Sequence, residues 1–254
     1  MERFGPDRTL IDQAQPELGF RDYGVVAIEV WNEPNTSVFW GGPPDPVHFA
    51  KLVRRAYGGV VSKGLAGSVK MVPGGLTPDG EESPYMSERA YTSAYLRELD
   101  EVHVDRLSVH LYAHYALKDN GAERHILDRY NDIVLGAQDA GFGSTRRWIT
   151  EIGFATAKPD PTTTPRAYNP APPKANETMQ RRRLIDAYLY LEDEDRKIDS
   201  FIAHRVSDGP DEPNNLGVGT IQVQGDGSLK FVDRPAYCRL ARKVGAEPAV
   251  CSEP

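Results

Sequence analysis

Along this chain, short apolar stretches of strand length alternate with longer ones in which apolar residues recur every three to four positions. The first short stretch, Val25 to Trp31 (VVAIEVW), is β-branched and apolar, and the polar run Asn32-Glu33-Pro34-Asn35 closes it at a proline that cannot donate to a ladder. A helix is expected over about Pro46–Ser62, with Phe49, Leu52, Val53, Ala56 and Val60 on one face. Val69–Gly75 (VKMVPGG) reads as a strand ended by a proline and two glycines. A helix around Ser87–Leu99 and a strand over Arg106–Tyr112 (RLSVHLY) follow. The cleanest helical spacing runs through Ile126, Leu127, Tyr130, Ile133, Val134 and Ala137, with Gly141 as a suitable C-cap. Arg146–Gly153 (RRWITEIG) is strand-like again. A helix over Glu177–Glu192 leads to a strand over Ser200–Asp208, and a last helix is expected from about Arg234 to Val244.

Strands that are nearly all apolar and separated by helices predict an α/β fold with a parallel sheet covered by helices. Both a doubly wound sheet and a (β/α)8 barrel satisfy that pattern. No GxGxxG or GxxxxGK[ST] follows any strand, which weakens the nucleotide-binding versions. Polar residues gather instead at the C-terminal ends of the strands: Asn32 and Glu33, His110 and Tyr112, Glu151, then His204 and Asp208. In barrel enzymes those ends converge on the face that carries the chemistry. A (β/α)8 TIM-barrel type is therefore expected, with five of its units visible.

Composition narrows the partners. The 254 residues suit one large domain or two small ones, and 30 Lys plus Arg against 37 Asp plus Glu give a net charge of −7. That balance argues against nucleic acid or an anionic membrane surface as the main partner. No apolar run approaches the roughly 18 residues of a membrane helix, and the first residues lack the basic-then-apolar layout of a secretory signal. Cys238 and Cys251 form either one tail-pinning disulfide or two unrelated thiols. With neither CxxC nor His/Cys metal spacing present, no metal or cofactor is expected.

Trp31 to Asn35 (WNEPN), followed far downstream by Trp148 to Phe154 (WITEIGF), resembles the retaining glycoside hydrolases of clan A, a group of (β/α)8 enzymes that includes cellulases, mannanases and β-xylosidases. In that clan an Asn-Glu pair ends the fourth strand and a second Glu ends the seventh, and two strands are read between the two motifs here. Ser108 to Tyr112 (SVHLY) is similar to the clan's sixth strand, and Lys230 to Leu240 (KFVDRPAYCRL) to its closing element. Arg3 to Leu10 (RFGPDRTL) is similar to the segment leading into the fourth strand. The resemblance spans residues 1–254 as a single partial barrel domain, truncated at its N-terminus, with strand units one to three missing.

What the resemblance implies is hydrolysis of a β-linked oligo- or polysaccharide by double displacement. Glu33 would be the acid/base and Glu151 the nucleophile, about 5–5.5 Å apart. Asn32 would hydrogen-bond the sugar 2-hydroxyl, Tyr112 would hold the Glu151 carboxylate, and His110 would line the same pocket. Trp40, in the loop after the first motif, is the expected sugar platform, while Trp31 and Trp148 are expected in the core. The segment FIAHRVSDGP lacks the tryptophan usual at the eighth strand, and His204 is the residue that would take that place. The proline- and threonine-rich loop from Ala155 to Ala175 would overhang the cleft, with Arg166 and Tyr168 near distal sugars. The resemblance also implies secretion of a full-length family member. An open sheet edge at Val25 would invite self-association.

Two other classes compete. A non-catalytic, carbohydrate-binding relative would keep the carboxylates in an incomplete site. A metal-assisted barrel lyase or epimerase would need three carboxylates on successive strand ends and a strand-end lysine base, and neither pattern is present.

Overall fold

The computed structural model describes residues 25–77, 86–99, 104–112, 121–154, 177–192, 196–204, 219–223, 229–233 and 235–243. Contacts divide the chain into two compact units. One holds the described parts of Met1–Leu76, Pro84–Ser108 and Val134–Arg147, and the other those of Thr77–Ser83, Val109–Ile133 and Trp148–Pro254.

In the first unit, strand β1 (Ala27–Val30) leads through a short helix α1 (Ser37–Trp40) to helix α2 (Pro46–Ser62). The start of α2 follows from its sequence: the Asp45 side chain accepts from the His48 N–H at 2.9 Å, and Pro46 occupies the first turn, where its missing N–H costs nothing. Phe49, Ala50, Val53 and Val60 are buried on the face that the spacing predicted, with Leu52 and Ala56 packed against that core. Strand β2 (Lys70–Pro73) then pairs parallel with β1, in the register Ala27↔Lys70 to Val30↔Pro73. Helix α3 (Glu88–Leu99) packs on α2 and places Phe49, Tyr91 and Tyr95 in mutual ring contact. Burial pushes both tyrosine hydroxyls well above their ordinary range, so they stay neutral.

Strand β3 (Leu107–Tyr112), helix α4 (Gly121–Asp139) and strand β4 (Arg147–Gly153) come next. Gly136 lets α4 sit directly on α3, because a Cβ there would lie 2.5 Å from the Arg89 carbonyl oxygen. Helix α5 (Glu177–Leu191), strand β5 (Ile198–Ala203), an antiparallel hairpin of β6 (Gly219–Val223) and β7 (Leu229–Asp233), and helix α6 (Pro235–Lys243) complete the described elements. Helices α5 and α6 pack together. Cys238 is disulfide-bonded, and the chain's one other cysteine, Cys251, lies outside the described residues.

The result is a mixed α/β fold in which helices separate strands β1 to β5, as the pattern predicted, with the β6–β7 hairpin added. Barrel closure is not seen among the described residues: the strands form sheets β1–β2, β3–β4–β5 and β6–β7. One local reason is visible between β2 and β3. The Met71 N–H donates to the Asp105 carboxylate at 2.7 Å while the Asp105 N–H donates to the Met71 carbonyl at 3.1 Å, so a side chain stands where a ladder bond would run.

Strands β1 and β2 are shorter than the sequence reading by one or two residues at each end, and the last strands differ more. Strand β5 starts at Ile198 and ends at Ala203 rather than spanning Ser200–Asp208, although the His204 N–H still donates to the Ile152 carbonyl at 2.7 Å. The β6–β7 hairpin had no counterpart in the sequence reading, because its strands are five residues each and lack a long apolar run. Arg3–Leu10, Ala155–Ala175 and Asp208 lie outside the described residues.

Candidate active site

In the first unit the chain leaves β1 through a strained turn. Trp31 and Glu33 both have left-handed backbones (φ 73° and 44°), and among the described residues only Lys197 shares that state without being glycine. Each such residue costs on the order of 1–3 kcal/mol and persists only where its surroundings hold it. Here the holding group is the end of β2. The Gly74 N–H donates to the Val30 carbonyl at 2.9 Å, and the Glu33 N–H donates to the Gly75 carbonyl at 3.0 Å. Gly74 must be glycine, since a Cβ would lie 2.4 Å from the Trp31 carbonyl oxygen. Glu33 itself is 3% exposed, and Pro34, Asn35 and Thr36 beside it are buried. Thr36 then caps α1, its hydroxyl accepting from the Val38 N–H at 3.2 Å.

Asn32 is exposed at the same strand end. Trp31, expected in the core, is 47% exposed. Trp31 follows buried Val30 and so falls on the side of exposed Glu29, and the strand stops at Val30 with a left-handed step at Trp31. Its indole N–H donates to the Phe39 carbonyl at 3.2 Å, and its ring meets Trp40 edge-on with centroids 5.7 Å apart. Trp40 is half-buried and rests against Phe49 and the core of this unit. Two indoles, one backing the other, thus stand beside Asn32 and Glu33.

In the second unit the chemistry gathers on Glu151 at the end of β4. The Tyr112 hydroxyl donates to Glu151 Oε2 at 2.5 Å. His110 Nδ1 lies 3.7 Å and His204 Nδ1 3.6 Å from the same oxygen, close enough for attraction when either imidazole is protonated. His110 and Tyr112 stand two apart on β3 and so share a face. Both are buried, and His110 is 1% exposed. His204 follows β5 and meets the Tyr112 ring edge-on at 5.9 Å. The Glu151 side chain keeps 25% of its surface open, so it is oriented by protein and still reachable from solvent.

Of the residues singled out in the sequence, His110, Tyr112, Glu151 and His204 are therefore brought together. Asn32, Glu33 and Trp40 form the other group. Trp148 is half-buried within β4. Two further residues lie at this strand end: Trp31, expected in the core, and Glu29, the lone carboxylate within the apolar run, to which the sequence reading gives no role. Glu29 Oε1 accepts from the Gly75 N–H at 3.0 Å and from the Ser108 hydroxyl.

No protein-family model matches the sequence, and no curated protein matches it. Solved structures do. An endo-laminarinase from Formosa Hel1_33_131 superposes with a TM-score of 0.56 at 18% identity, covering 85% of this chain and 58% of that one. A GH128 (subgroup II) endo-β-1,3-glucanase from Sorangium cellulosum matches with a TM-score of 0.47 at 17% identity, over 78% of this chain and 64% of its own. A glucosidase from Croceicoccus marinus matches with a TM-score of 0.48 at 17% identity, over 78% and 36%. The chain thus spans less than two thirds of the length of each. The laminarinase likeness is one of fold: this chain shares the mixed α/β architecture of that structure.

Proposed function

We propose that the chain is a retaining glycoside hydrolase acting on β-linked glucan, of the (β/α)8 clan A kind, with Glu151 as nucleophile and Glu33 as acid/base. The observation that carries the reading is the environment of Glu151: a strand-end carboxylate, open to solvent, whose Oε2 takes the Tyr112 hydroxyl and faces two imidazoles. A carboxylate held in that way has one oxygen fixed by a donor and its plane set, which suits attack along a single direction. The fold likeness to an endo-laminarinase supports a β-glucan as the substrate class.

In the first step a Glu151 oxygen attacks the anomeric carbon, the glycosidic C–O bond breaks, and the departing oxygen takes the proton carried by Glu33. In the second, Glu33 removes a proton from water, the water oxygen bonds to the anomeric carbon, and the Glu151 ester bond breaks. Asn32 hydrogen-bonds the sugar 2-hydroxyl, a contact that strengthens as positive charge develops on the ring. Trp31 and Trp40 offer the apolar faces on which a sugar ring stacks.

A 2-deoxy-2-fluoro-β-glucoside with a good leaving group tests this. It should stall the enzyme as a covalent adduct, and peptide mass spectrometry should place the adduct on Glu151. An adduct elsewhere, or NMR evidence that the first product has the inverted anomeric configuration, would sink the reading. Binding of laminari-oligosaccharides without any turnover would favour a carbohydrate-binding relative instead.

A further inference from the structure

We infer that Glu29 is a positioning residue for Glu33, an inference that rests on the acid/base role proposed above. Glu29 is an exposed residue in the middle of β1, an otherwise apolar strand, so what it does there is read from the groups its carboxylate holds. Its Oε1 accepts two hydrogen bonds: one from the Gly75 N–H at 3.0 Å, across 46 positions of sequence, and one from the Ser108 hydroxyl, across 79. The same Gly75 accepts the Glu33 N–H at 3.0 Å through its carbonyl. A chain of contacts therefore runs from the Ser108 hydroxyl to the Glu29 carboxylate, then to the N–H of Gly75 and, across its Cα, from its carbonyl to the Glu33 main chain.

The pieces fit this role physically. Gly75 follows Gly74, so two glycines in succession leave this segment with little conformational preference of its own. A carboxylate offers acceptors only, and both of its partners here are donors, so it suits the junction better than a neutral side chain. Anchoring the Gly75 N–H restrains one side of this residue, and its carbonyl, on the following peptide unit, receives the N–H of a residue in a left-handed conformation at φ 44°. Loss of the anchor should let the turn relax and the Glu33 carboxyl wander. Proton donation tolerates little misplacement.

The test compares the full protein with Glu29→Ala, Glu29→Gln, Ser108→Ala and Glu33→Gln. Glu29→Ala should reduce kcat/KM roughly 10- to 100-fold on glucosides with poor leaving groups and far less on activated aryl glucosides, with kcat carrying the loss. Glu29→Gln, which keeps an acceptor oxygen, should recover most of it, and Ser108→Ala should show a smaller loss of the same kind. Amide hydrogen exchange should accelerate at Glu33 and Gly75 in Glu29→Ala, while helices α2 and α3 keep their protection. An even loss on all substrates, or unchanged exchange at Glu33, would overturn the inference. If Glu33→Gln behaves as an acid/base variant and Glu29→Ala shows no leaving-group dependence, only this inference falls. If Glu33→Gln shows none either, the acid/base assignment falls and takes the inference with it.

Discussion

At the end of β1, Glu33 is held by its main chain: a strained turn, a hydrogen bond from its N–H to the Gly75 carbonyl and close approach of Gly74. At the end of β4, Glu151 is held by its side chain, through Tyr112 with His110 and His204 around the same oxygen. The strands differ accordingly. All six residues of β3, which supplies two of the groups around Glu151, are buried, whereas β1 has only Val30 buried among its four. A site held by the backbone is sensitive to glycines and turn geometry, and one held by side chains to the loss of single donors. If the two carboxyls serve one reaction, a proton donor and a nucleophile have been fixed by different physical means.

The sharpest way to break this comparison is to remove each carboxylate. Glu151→Ala should lower kcat by three or more orders of magnitude on every substrate, and azide should restore part of the rate with inverted product. Glu33→Ala should spare activated substrates, so equal losses on all substrates in both variants would show that the two ends do not differ in role. Next in size is Tyr112→Phe. Deleting a hydrogen bond to a charged group costs about 1.5–3 kcal/mol, which predicts a fall of roughly 10- to 100-fold in kcat with the melting temperature nearly unchanged. An unaltered kcat would mean that this hydroxyl does not serve the reaction.

The corresponding blow to the other end is Gly74→Ala. Its Cβ would meet the Trp31 carbonyl oxygen at 2.4 Å, and relieving such crowding costs about 1–3 kcal/mol. Thermal unfolding and amide exchange around Trp31 and Glu33 should report it. A variant as stable as the wild type would show that the turn is not tightly held. Smallest of all is Arg89→Ala, a control remote from the comparison. The Arg89 side chain hydrogen-bonds the exposed Asp139 carboxylate at 2.9 Å and holds it below the usual carboxylate range. Because that value is lowered in the fold, the stabilisation is present near neutral pH and lost as pH falls through the acid range where Asp139 protonates. The stability gap between wild type and Arg89→Ala should shrink on acidification, and a gap that widened would contradict the sign.

How much of this was legible beforehand depended on the range of the interactions. Helix α2 was readable to the residue because its cap, its first-turn proline and its apolar face are all local. The strand ends were legible to within a few residues: the run from Val25 ends at Val30 ahead of Pro34, while β5 ends at Ala203 rather than Asp208. The pairing of His110 with Tyr112 was readable from a two-residue spacing on a strand. Trp31 is exposed rather than in the core because only one face of β1 is buried, the face of Val30, and an apolar run does not say which faces are covered. Glu29 was overlooked because neither of its partners is near it in the chain.

The sequence by itself determined which residues stand at the strand ends, since strand period, proline and glycine act within a few positions. Tertiary structure alone decided what surrounds them: that Gly75 grips Glu33 while being gripped by Glu29, that Asp105 stands in for a ladder bond at Met71, and that Tyr112 and two histidines meet on one oxygen of Glu151. Those side-chain hydrogen bonds join residues 34 to 46 positions apart. No local pattern encodes such a meeting, because it comes about only when packed helices and strands bring distant segments within hydrogen-bonding reach.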